Sequence, residues 1–436
     1  MGIDRTPKLS TPDPASPWAP LRSRNYLTLL VGQNLSSWGD AIFSIALVWF
    51  VYQDTHSALG TAAVSVAQRL GVALSGPAVG VYVDRWDRRR TLMGVNVVST
   101  GVVLLTAVLA FRHVLGVWAI YAALFALTAA AMMERPAFHS VMSRILPRDQ
   151  LAAGNGLYQS VGSANGFFAA SVGGVVVAAV GAVVSGFIDV GSFVLAVAAL
   201  AMLRFAPASA PPSLTDRDPP KRQFVQELRE GWAGIGLEPA LKTLALWAGV
   251  GTMGGGAVLA LLPVVVFRNL PGGPAALGLV EAGAVVGSVP GGLVTAWATR
   301  RIAMAPLMLA TTAMAGCAMA ALGFSHVLLL SLGLYALAGF GQTLGGAAFN
   351  ALFQASVPPA LMGRTFGLLG TIEGAAAPAT ALVGGILATT AGAGVIMAAG
   401  GIWMALSGLL LLRSRPLMTL LPSTPDPAPD GVPPIE

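Results

Sequence analysis

The chain has 436 residues, of which 55% are hydrophobic and only 10% are charged, and its mean hydropathy is +0.73. Because soluble domains carry about 25% charged residues, this composition excludes a water-soluble globular protein. The formal charge of +6 is too sparse to build a nucleic-acid-binding face, and the single cysteine, Cys317, excludes an internal disulfide and a thiolate zinc site.

Long apolar stretches bounded by charged, proline or turn residues predict membrane-spanning helices along the whole chain. Twelve such stretches occur, at about 26–51, 58–83, 91–111, 115–134, 152–179, 182–203, 241–267, 275–298, 302–323, 326–347, 365–390 and 393–412. The sequence therefore predicts an all-α polytopic membrane protein with 12 transmembrane helices.

The basic residues fall on one side of the predicted membrane. With both termini placed inside, 22 of the 25 lysines and arginines lie in cytosolic segments, whereas the outer loops hold only Arg112 and Arg268. Because cytosolic loops carry an excess of Lys and Arg, we expect a multi-pass protein of the inner (cytoplasmic) membrane with both termini in the cytoplasm. Residues 1–24 and 413–436 are rich in proline and are expected to be disordered cytosolic tails, with no cleaved signal peptide.

The longest internal hydrophilic stretch divides the chain into two halves. We expect residues 206–240 to form a cytosolic linker between an N-terminal six-helix bundle (25–205) and a C-terminal six-helix bundle (241–412). Within this linker an apolar residue recurs at every fourth position from Phe224 to Trp232. The pattern predicts a short amphipathic helix, which lies either on the inner membrane surface or on the protein's own cytosolic face.

The two halves also share a sequence pattern. Displaced by 211 residues, the segment 80–93 aligns with 291–304, and the glycines at 173–174 align with those at 384–385. A parallel repeat of six helices predicts two pseudo-repeats related by an axis along the membrane normal, with one half rocking against the other around a central site.

The segment after the second predicted span carries a recognisable motif, which reads Gly80-Val-Tyr-Val-Asp84-Arg85-Trp-Asp-Arg88-Arg89-Arg90. It resembles the signature loop of the major facilitator superfamily, Gly-x-x-x-Asp-Arg-x-Gly-Arg-Arg. Gly39-Asp40 in the first span and Pro147-Arg-Asp-Gln-Leu151 before the fifth span further resemble the macrolide-efflux and siderophore-exporter branch. The resemblance covers about 25–412 and implies the twelve-helix major facilitator fold. Two departures are Asp87, at the second glycine of the motif, and the fifth-span Gly-Pro motif of antiporters, which is degraded to Ala170-Ser-Val-Gly-Gly174.

The resemblance implies a gate at the cytosolic face. Asp84 is expected to face the amino-terminal end of the eleventh span, where the helix dipole favours an anion, and to pair with a nearby arginine. Glu134 is expected at the cytosolic end of the fourth span as a partner for Arg88 or Arg89. The gate set is Gly80, Asp84, Arg85, Arg88, Arg89, Arg90 and Glu134. In the alternative interpretation these arginines only set the topology.

Ionisable residues inside the spans are candidates for proton coupling, because charged groups are costly in the membrane. Asp40, Arg69 and Asp189 lie at similar depth, so one aspartate is expected to be the counter-ion of the arginine. We expect an Asp40–Arg69 pair whose aspartate can take up a proton. Asp189 is the alternative partner, or a structural hydrogen-bond acceptor.

Two glutamates and a polar stripe complete the expected cavity. Glu281 in the eighth span and the shallower Glu373 in the eleventh are expected to carry a proton, to face a cationic substrate, or to be buried and hydrogen-bonded. Gln68 continues a polar stripe on the second span, which predicts a sparsely polar central cavity.

The chain has no nucleotide-binding loop and no hydrolase motif, so an enzyme is not expected and an ion gradient must supply the energy. Together with the resemblance, this predicts a monomeric secondary active transporter, without a cofactor, that contacts lipid, protons and a small-molecule substrate. We expect export of a hydrophobic or amphiphilic compound, such as a drug, an antibiotic or a siderophore-like metabolite, by proton antiport with alternating access. The alternatives are sodium coupling, a proton-coupled importer or uniporter of a small metabolite, and a non-transporting membrane sensor or assembly factor.

Overall fold

The computed structural model describes residues 18–82, 88–203, 239–357 and 362–414, and regular structure in these ranges is helical. Eleven segments of the described chain are long and apolar enough to cross a membrane, so the chain is a multi-pass membrane protein. The helices are α1 (Arg24–Thr55), α2 (Ala58–Tyr82), α3 (Arg88–Phe111), α4 (Val117–Ile145), α5 (151–180), α6 (182–202), α7 (Pro239–Asn269), α8 (Pro274–Arg301), α9 (Met304–Leu322), α10 (Leu328–Ser356), α11 (Met362–Ala391) and α12 (Ala393–Ser407).

The boundary between α5 and α6 is a single residue. The helical run Leu151–Met202 is continuous except at Gly181, whose backbone (φ 80°, ψ 169°) is not helical. Because a positive φ is strained for residues with a Cβ, glycine is suited to this sharp reversal. The run therefore forms two membrane helices, and the prediction of twelve is confirmed.

Short 3₁₀ helices flank the bundle at Ala19–Arg22, Arg148–Gln150 and Gly408–Arg413. The first of them corrects the expected tail, because Leu21 packs against the apolar core of the N-terminal half. Residues 206–238 of the predicted linker lie outside the described residues, as do residues 1–17 and 415–436 of the tails, whereas the last two linker residues already belong to α7.

Two helices extend well beyond the predicted spans. We predicted that the fourth span ends at residue 134, but α4 continues to Ile145 with Pro136 inside it. The tenth predicted span likewise ended at 347, whereas α10 continues to Ser356. Charge and proline mark where a chain leaves the hydrocarbon region, but they do not end a helix whose inner turns remain packed against its neighbours. This difference matters for Glu134, which lies well inside α4.

The helices form two halves, α1–α6 and α7–α12, whose ends define two faces. We call the face where α1 and α7 begin and α6 ends the terminal face, and the other the opposite face. At the terminal face each half has its own apolar core. One core contains Tyr26, Phe138 and Leu200, whereas the other contains Leu244 and Phe353. Among the residues that the structure describes, neither of these clusters crosses between the halves.

Near the opposite face a single apolar cluster joins the halves. It unites Ile42 and Ala62 of the N-terminal half with Leu261 and Leu277 of the C-terminal half. Three aromatic rings extend this contact from α1 to α7, with Phe267 set 4.8 Å from Trp49 and 5.0 Å from Tyr52 between ring centroids. The described structure is therefore closed at the opposite face.

Two repeat-related glycines lie at equivalent places in this seal. A methyl group at Gly174 in α5 would overlap the backbone of α8 at Pro274. A methyl group at Gly385 in α11 would lie 2.9 Å from Ala62 of α2. Because α5 corresponds to α11 and α8 to α2 in the repeat, the two interfaces are pseudo-symmetric, as two parallel repeats require.

Candidate functional site

Helices in the described part of the chain enclose two cavities that matter for function. The smaller, of about 440 Å³, is bounded by α1, α4 and α5 of the N-terminal half and by α8 of the C-terminal half. The larger, of about 670 Å³, is bounded mainly by α7, α9, α10, α11 and α12, with one residue from α2. Both volumes lie in the range of pockets that hold drug-sized molecules.

The smaller cavity holds one carboxylate from each half. Glu134 of α4 and Glu281 of α8 both line it. The Nε2 of Gln33 in α1 donates a hydrogen bond to Oε1 of Glu134, and Gln33 itself is only 3% exposed. The amide therefore fixes the orientation of the Glu134 side chain across the α1–α4 contact.

The position of Glu134 differs from the expected end of a span. We expected Glu134 to pair with Arg88 or Arg89 at the gate; in the structure it lines the smaller cavity and accepts a hydrogen bond from Gln33. The side chain of Arg88 lies outside the described residues, so the gate pairing stays a prediction. Arg89 donates from Nε and Nη2 to the carbonyls of Leu200 and Ala201, at 3.1 and 2.8 Å. These are orphan carbonyls of the last turn of α6, which basic side chains commonly satisfy.

Two further carboxylates stand behind the smaller cavity, in the N-terminal half. Asp189 of α6 is fully buried and accepts a hydrogen bond from Oγ of Ser192 at 3.1 Å. A methyl group at Gly39 would overlap both of these side chains, so the absence of a Cβ there lets α1 approach α6. Asp40 follows Gly39 in α1, and Asp189 and Glu134 are close enough to interact with it electrostatically.

Arg69 does not join this carboxylate group. Within the part of the chain that the structure describes, it forms no ion pair with Asp40 or Asp189, so the expected pair is absent from this conformation. Arg69 of α2 and Glu373 of α11 both line the larger cavity. Asp40 and Asp189 do not belong to the described lining of either cavity.

The remaining predicted residues of the cavity have distinct places. The Nε2 of Gln68 donates to Oγ of Ser44 at 3.2 Å, and Ser44 lines the smaller cavity. Glu281 is close enough to Tyr335 of α10 to interact with it electrostatically. Close approach of these helices depends on Gly287, where a methyl group would overlap the α10 backbone.

The predicted gate is described only in part. Asp84 and Arg85 lie outside the described residues, as does the side chain of Arg88. Gly80 lies in the last turns of α2, and Arg90 is exposed in the first turn of α3. The gate role of this set therefore stays a prediction.

Sequence reasoning missed the Gln33–Glu134 contact and the role of Asn165. The sequence assigned no partner to Gln33 and did not single out Asn165, which is 8% exposed. The Nδ2 of Asn165 donates to the carbonyl of Asn34 at 3.4 Å, which ties α5 to α1 beside the smaller cavity. In the described ranges no three His, Cys, Asp or Glu side chains come close enough to hold a metal ion.

Comparison with known proteins places this architecture among membrane transporters. A family model described as transmembrane secretion effector matches residues 15–424. The chain is 27% identical over 402 residues to macrolide efflux protein A of Streptococcus pyogenes, which covers 89% of this chain and 93% of the relative. It is 28% identical over 363 residues to the multidrug efflux pump Tap of Mycolicibacterium fortuitum, which covers 81% and 87% of the two chains. The solved structure of the nucleoside transporter NupG resembles it in fold, with a TM-score of 0.69 at 11% identity over 89% of this chain and 99% of that one.

Proposed function

We propose that this chain, a member of the transmembrane secretion effector family of the major facilitator superfamily, exports a hydrophobic or amphiphilic compound in exchange for protons. Membership of this family makes the chain a transporter of small molecules and not an enzyme. The direction and the substrate class are supported by the relatives, which include a macrolide efflux protein and a multidrug efflux pump. Drugs, antibiotics and siderophore-like metabolites are the proposed cargo.

The observation that carries the proton exchange is the pair of carboxylates facing one cavity. Glu134 and Glu281 come from opposite halves and line the same space. Carboxylates at this depth in a membrane protein are costly, and they typically mark ion or proton pathways. In the proposed cycle these groups bind protons in one conformation and release them in the other, with Asp40 and Asp189 as further carriers behind them.

Alternating access is proposed from the asymmetric contact between the halves. The halves share an apolar core near the opposite face, whereas their terminal-face cores are separate. Such a structure corresponds to one end state of a rocking motion, in which the seal near the opposite face breaks as contacts form at the terminal face. Gate residues around Asp84 would supply those contacts.

The terminal face is assigned to the cytoplasm by the excess of basic residues in the segments on that side. The protein would then act as a monomer in the inner membrane, with both ends in the cytoplasm and the cavities accessible to cytosolic or membrane-dissolved compounds. Export would carry these compounds through the opposite face as protons return.

The test uses inside-out membrane vesicles with an acidic interior, a pH-sensitive dye, and a panel of macrolides, lipophilic cations and siderophores. Substrate entering the vesicle should release protons and dissipate the gradient. Glu134→Gln should abolish this substrate-dependent signal. The matched control, Asp54→Asn, removes an exposed carboxylate at the end of α1 and should leave the signal unchanged.

Verified protein that gives no proton signal with any compound would contradict proton-coupled export. A full signal from Glu134→Gln would reject Glu134 as the carrier. In that case Asp40→Asn and Glu281→Gln, measured in the same vesicles, would show whether another carboxylate carries the proton.

A further inference from the structure

The larger cavity owes its size to glycine. Eight of its lining residues are glycines, drawn from α7, α10 and α11. They divide into two classes by what a methyl group at each would meet. A methyl at Gly256, Gly341 or Gly345 would run into neighbouring helices or their side chains, and a methyl at Gly251 would lie 3.3 Å from Ser407. These four are packing glycines.

The other four face open space. A methyl group at Gly255, Gly346, Gly370 or Gly374 would meet nothing within 4 Å. Glycine inside a helix is less favourable than alanine by roughly 0.5–1 kcal/mol. Since packing does not require glycine at these positions, the feature that glycine preserves there is the volume of the cavity.

The walls between the glycines suit a large apolar body. Trp247, Leu259 and Met404 supply apolar surface, and the ring of Trp247 is held against Phe349 at 5.4 Å between centroids. Soft and aromatic side chains of this kind accommodate varied apolar shapes. The smaller cavity differs in chemistry, because carboxylates and amides form much of its wall.

We infer that the larger cavity binds the bulky, mostly apolar ring system of the exported compound, and that Gly255, Gly346, Gly370 and Gly374 set the largest body it accepts. The inference rests on the proposed function and deepens it by assigning the substrate body to one cavity. Proton exchange belongs to the other cavity. Arg69 and Glu373 both line this cavity, so an ionised group on the compound would have a charged side chain of either sign to approach.

The test is equilibrium binding to the purified full-length chain in lipid nanodiscs, measured by isothermal titration calorimetry, with empty nanodiscs to subtract partitioning into lipid. The probes are erythromycin, as a bulky macrocycle, and 1-naphthylmethylamine, as a small aromatic amine. Gly374→Leu and Gly346→Leu each project an isobutyl group into the larger cavity. We expect each to weaken erythromycin binding at least about tenfold while the small amine binds within about twofold of the wild type.

Two kinds of control separate this effect from general damage. Gly166→Leu fills open space in the smaller cavity, and Gly101→Leu adds the same group to an exposed glycine of α3. Both should leave the ratio of the two affinities unchanged. A melting temperature for every variant checks that it is folded. The milder Gly374→Ala should give a smaller change in the same direction.

Three results would overturn the inference. One is equal weakening of both probes by Gly374→Leu, and another is selective loss of erythromycin binding in Gly166→Leu alone. The third is a wild-type chain that binds neither probe. Binding does not depend on the direction of transport or on the coupling ion, so selective binding without proton exchange in vesicles would reject the proposed antiport and leave this inference intact.

Discussion

The seal near the opposite face offers a direct way to shift the protein between conformations. Within this seal Gly174 of α5 packs directly on α8, where a methyl group on Gly174 would overlap the carbonyl oxygen of Pro274 and lie 3.0 Å from the Cα of Gly278. Both neighbours are backbone atoms of a helix, so no side-chain rotation can relieve the overlap. The substitution Gly174→Ala should therefore force the two halves apart at this point.

The size of the effect follows from the cost of overpacking. An extra methyl group in a well-packed contact costs about 1–3 kcal/mol. If the contact exists only while the opposite face is closed, the whole cost falls on that conformation. Since about 1.4 kcal/mol is a factor of ten, the closed population should fall relative to the alternative by about fivefold to 150-fold. Gly385→Ala should act less strongly, because its methyl group would come no closer than 2.9 Å to a neighbouring atom, the Cβ of Ala62.

Pulsed electron paramagnetic resonance can measure this shift. Spin labels at Arg112→Cys and His326→Cys would report the separation of the halves, since both residues are exposed in loops at the opposite face. Cys317 is exposed and must first be replaced by alanine. Gly174→Ala should add a population at longer distance or enlarge one already present.

Two control variants make the result specific. Gly339→Ala produces a comparable overlap with the backbone of Ala284 inside the C-terminal half, so it should lower the melting temperature without changing the distance distribution. Gly101→Ala meets no neighbour and should change neither. If Gly174→Ala also lowered the melting temperature with unchanged distances, the contact would be a feature of every conformation and the seal would have been misidentified.

Two further predictions concern the N-terminal half. Gly39→Ala should lower the melting temperature, because its methyl group would overlap side chains of α6 at a cost of about 1–3 kcal/mol. The control Gly191→Ala adds a methyl group that meets no neighbour and should leave the melting temperature unchanged. Equal melting temperatures for the two variants would refute the close α1–α6 packing. Gln33→Leu removes the donor that orients Glu134 and should slow substrate-dependent proton release in vesicles at least about tenfold. The control variant Asn350→Leu changes an exposed residue and should release protons at the wild-type rate. A wild-type rate in Gln33→Leu would show that this hydrogen bond does not matter for exchange.

The fold could be predicted largely from the sequence, because a membrane helix needs a long apolar segment and little else. Even the break at Gly181 lies between two predicted spans. Helix ends were harder, since the amphiphilic turns after residue 134 continue α4 outside the apolar stretch. That extension explains why Glu134 was misplaced: a residue thought to end a span instead lies in the middle of a longer helix.

The candidate site was less accessible to sequence reasoning. Depth along a helix can be counted from residue numbers, and Asp40, Arg69 and Asp189 each lie in a helix long and apolar enough to cross a membrane. Rotation about the helix axis, and the neighbour that each side chain meets, depend on tertiary packing. Asp189 therefore faces Ser192 and Gly39, whereas Arg69 faces a cavity in the other half.

The polar and apolar parts of the site are divided unequally between the halves. The carboxylate group and its amide partner lie mainly in α1, α4 and α6, whereas the glycine-walled cavity lies mainly in α7, α10 and α11. If protons and substrate occupy these separate places, coupling requires that both respond to the same rocking of the halves, since neither needs to touch the other. The proposed function then predicts that variants of the glycine-walled cavity and variants of the carboxylates have different effects. Filling Gly374 should change which compounds bind, and neutralising Glu134 should abolish proton exchange for every compound that still binds. A chain in which both changes gave the same phenotype would instead have a single shared site for proton and substrate.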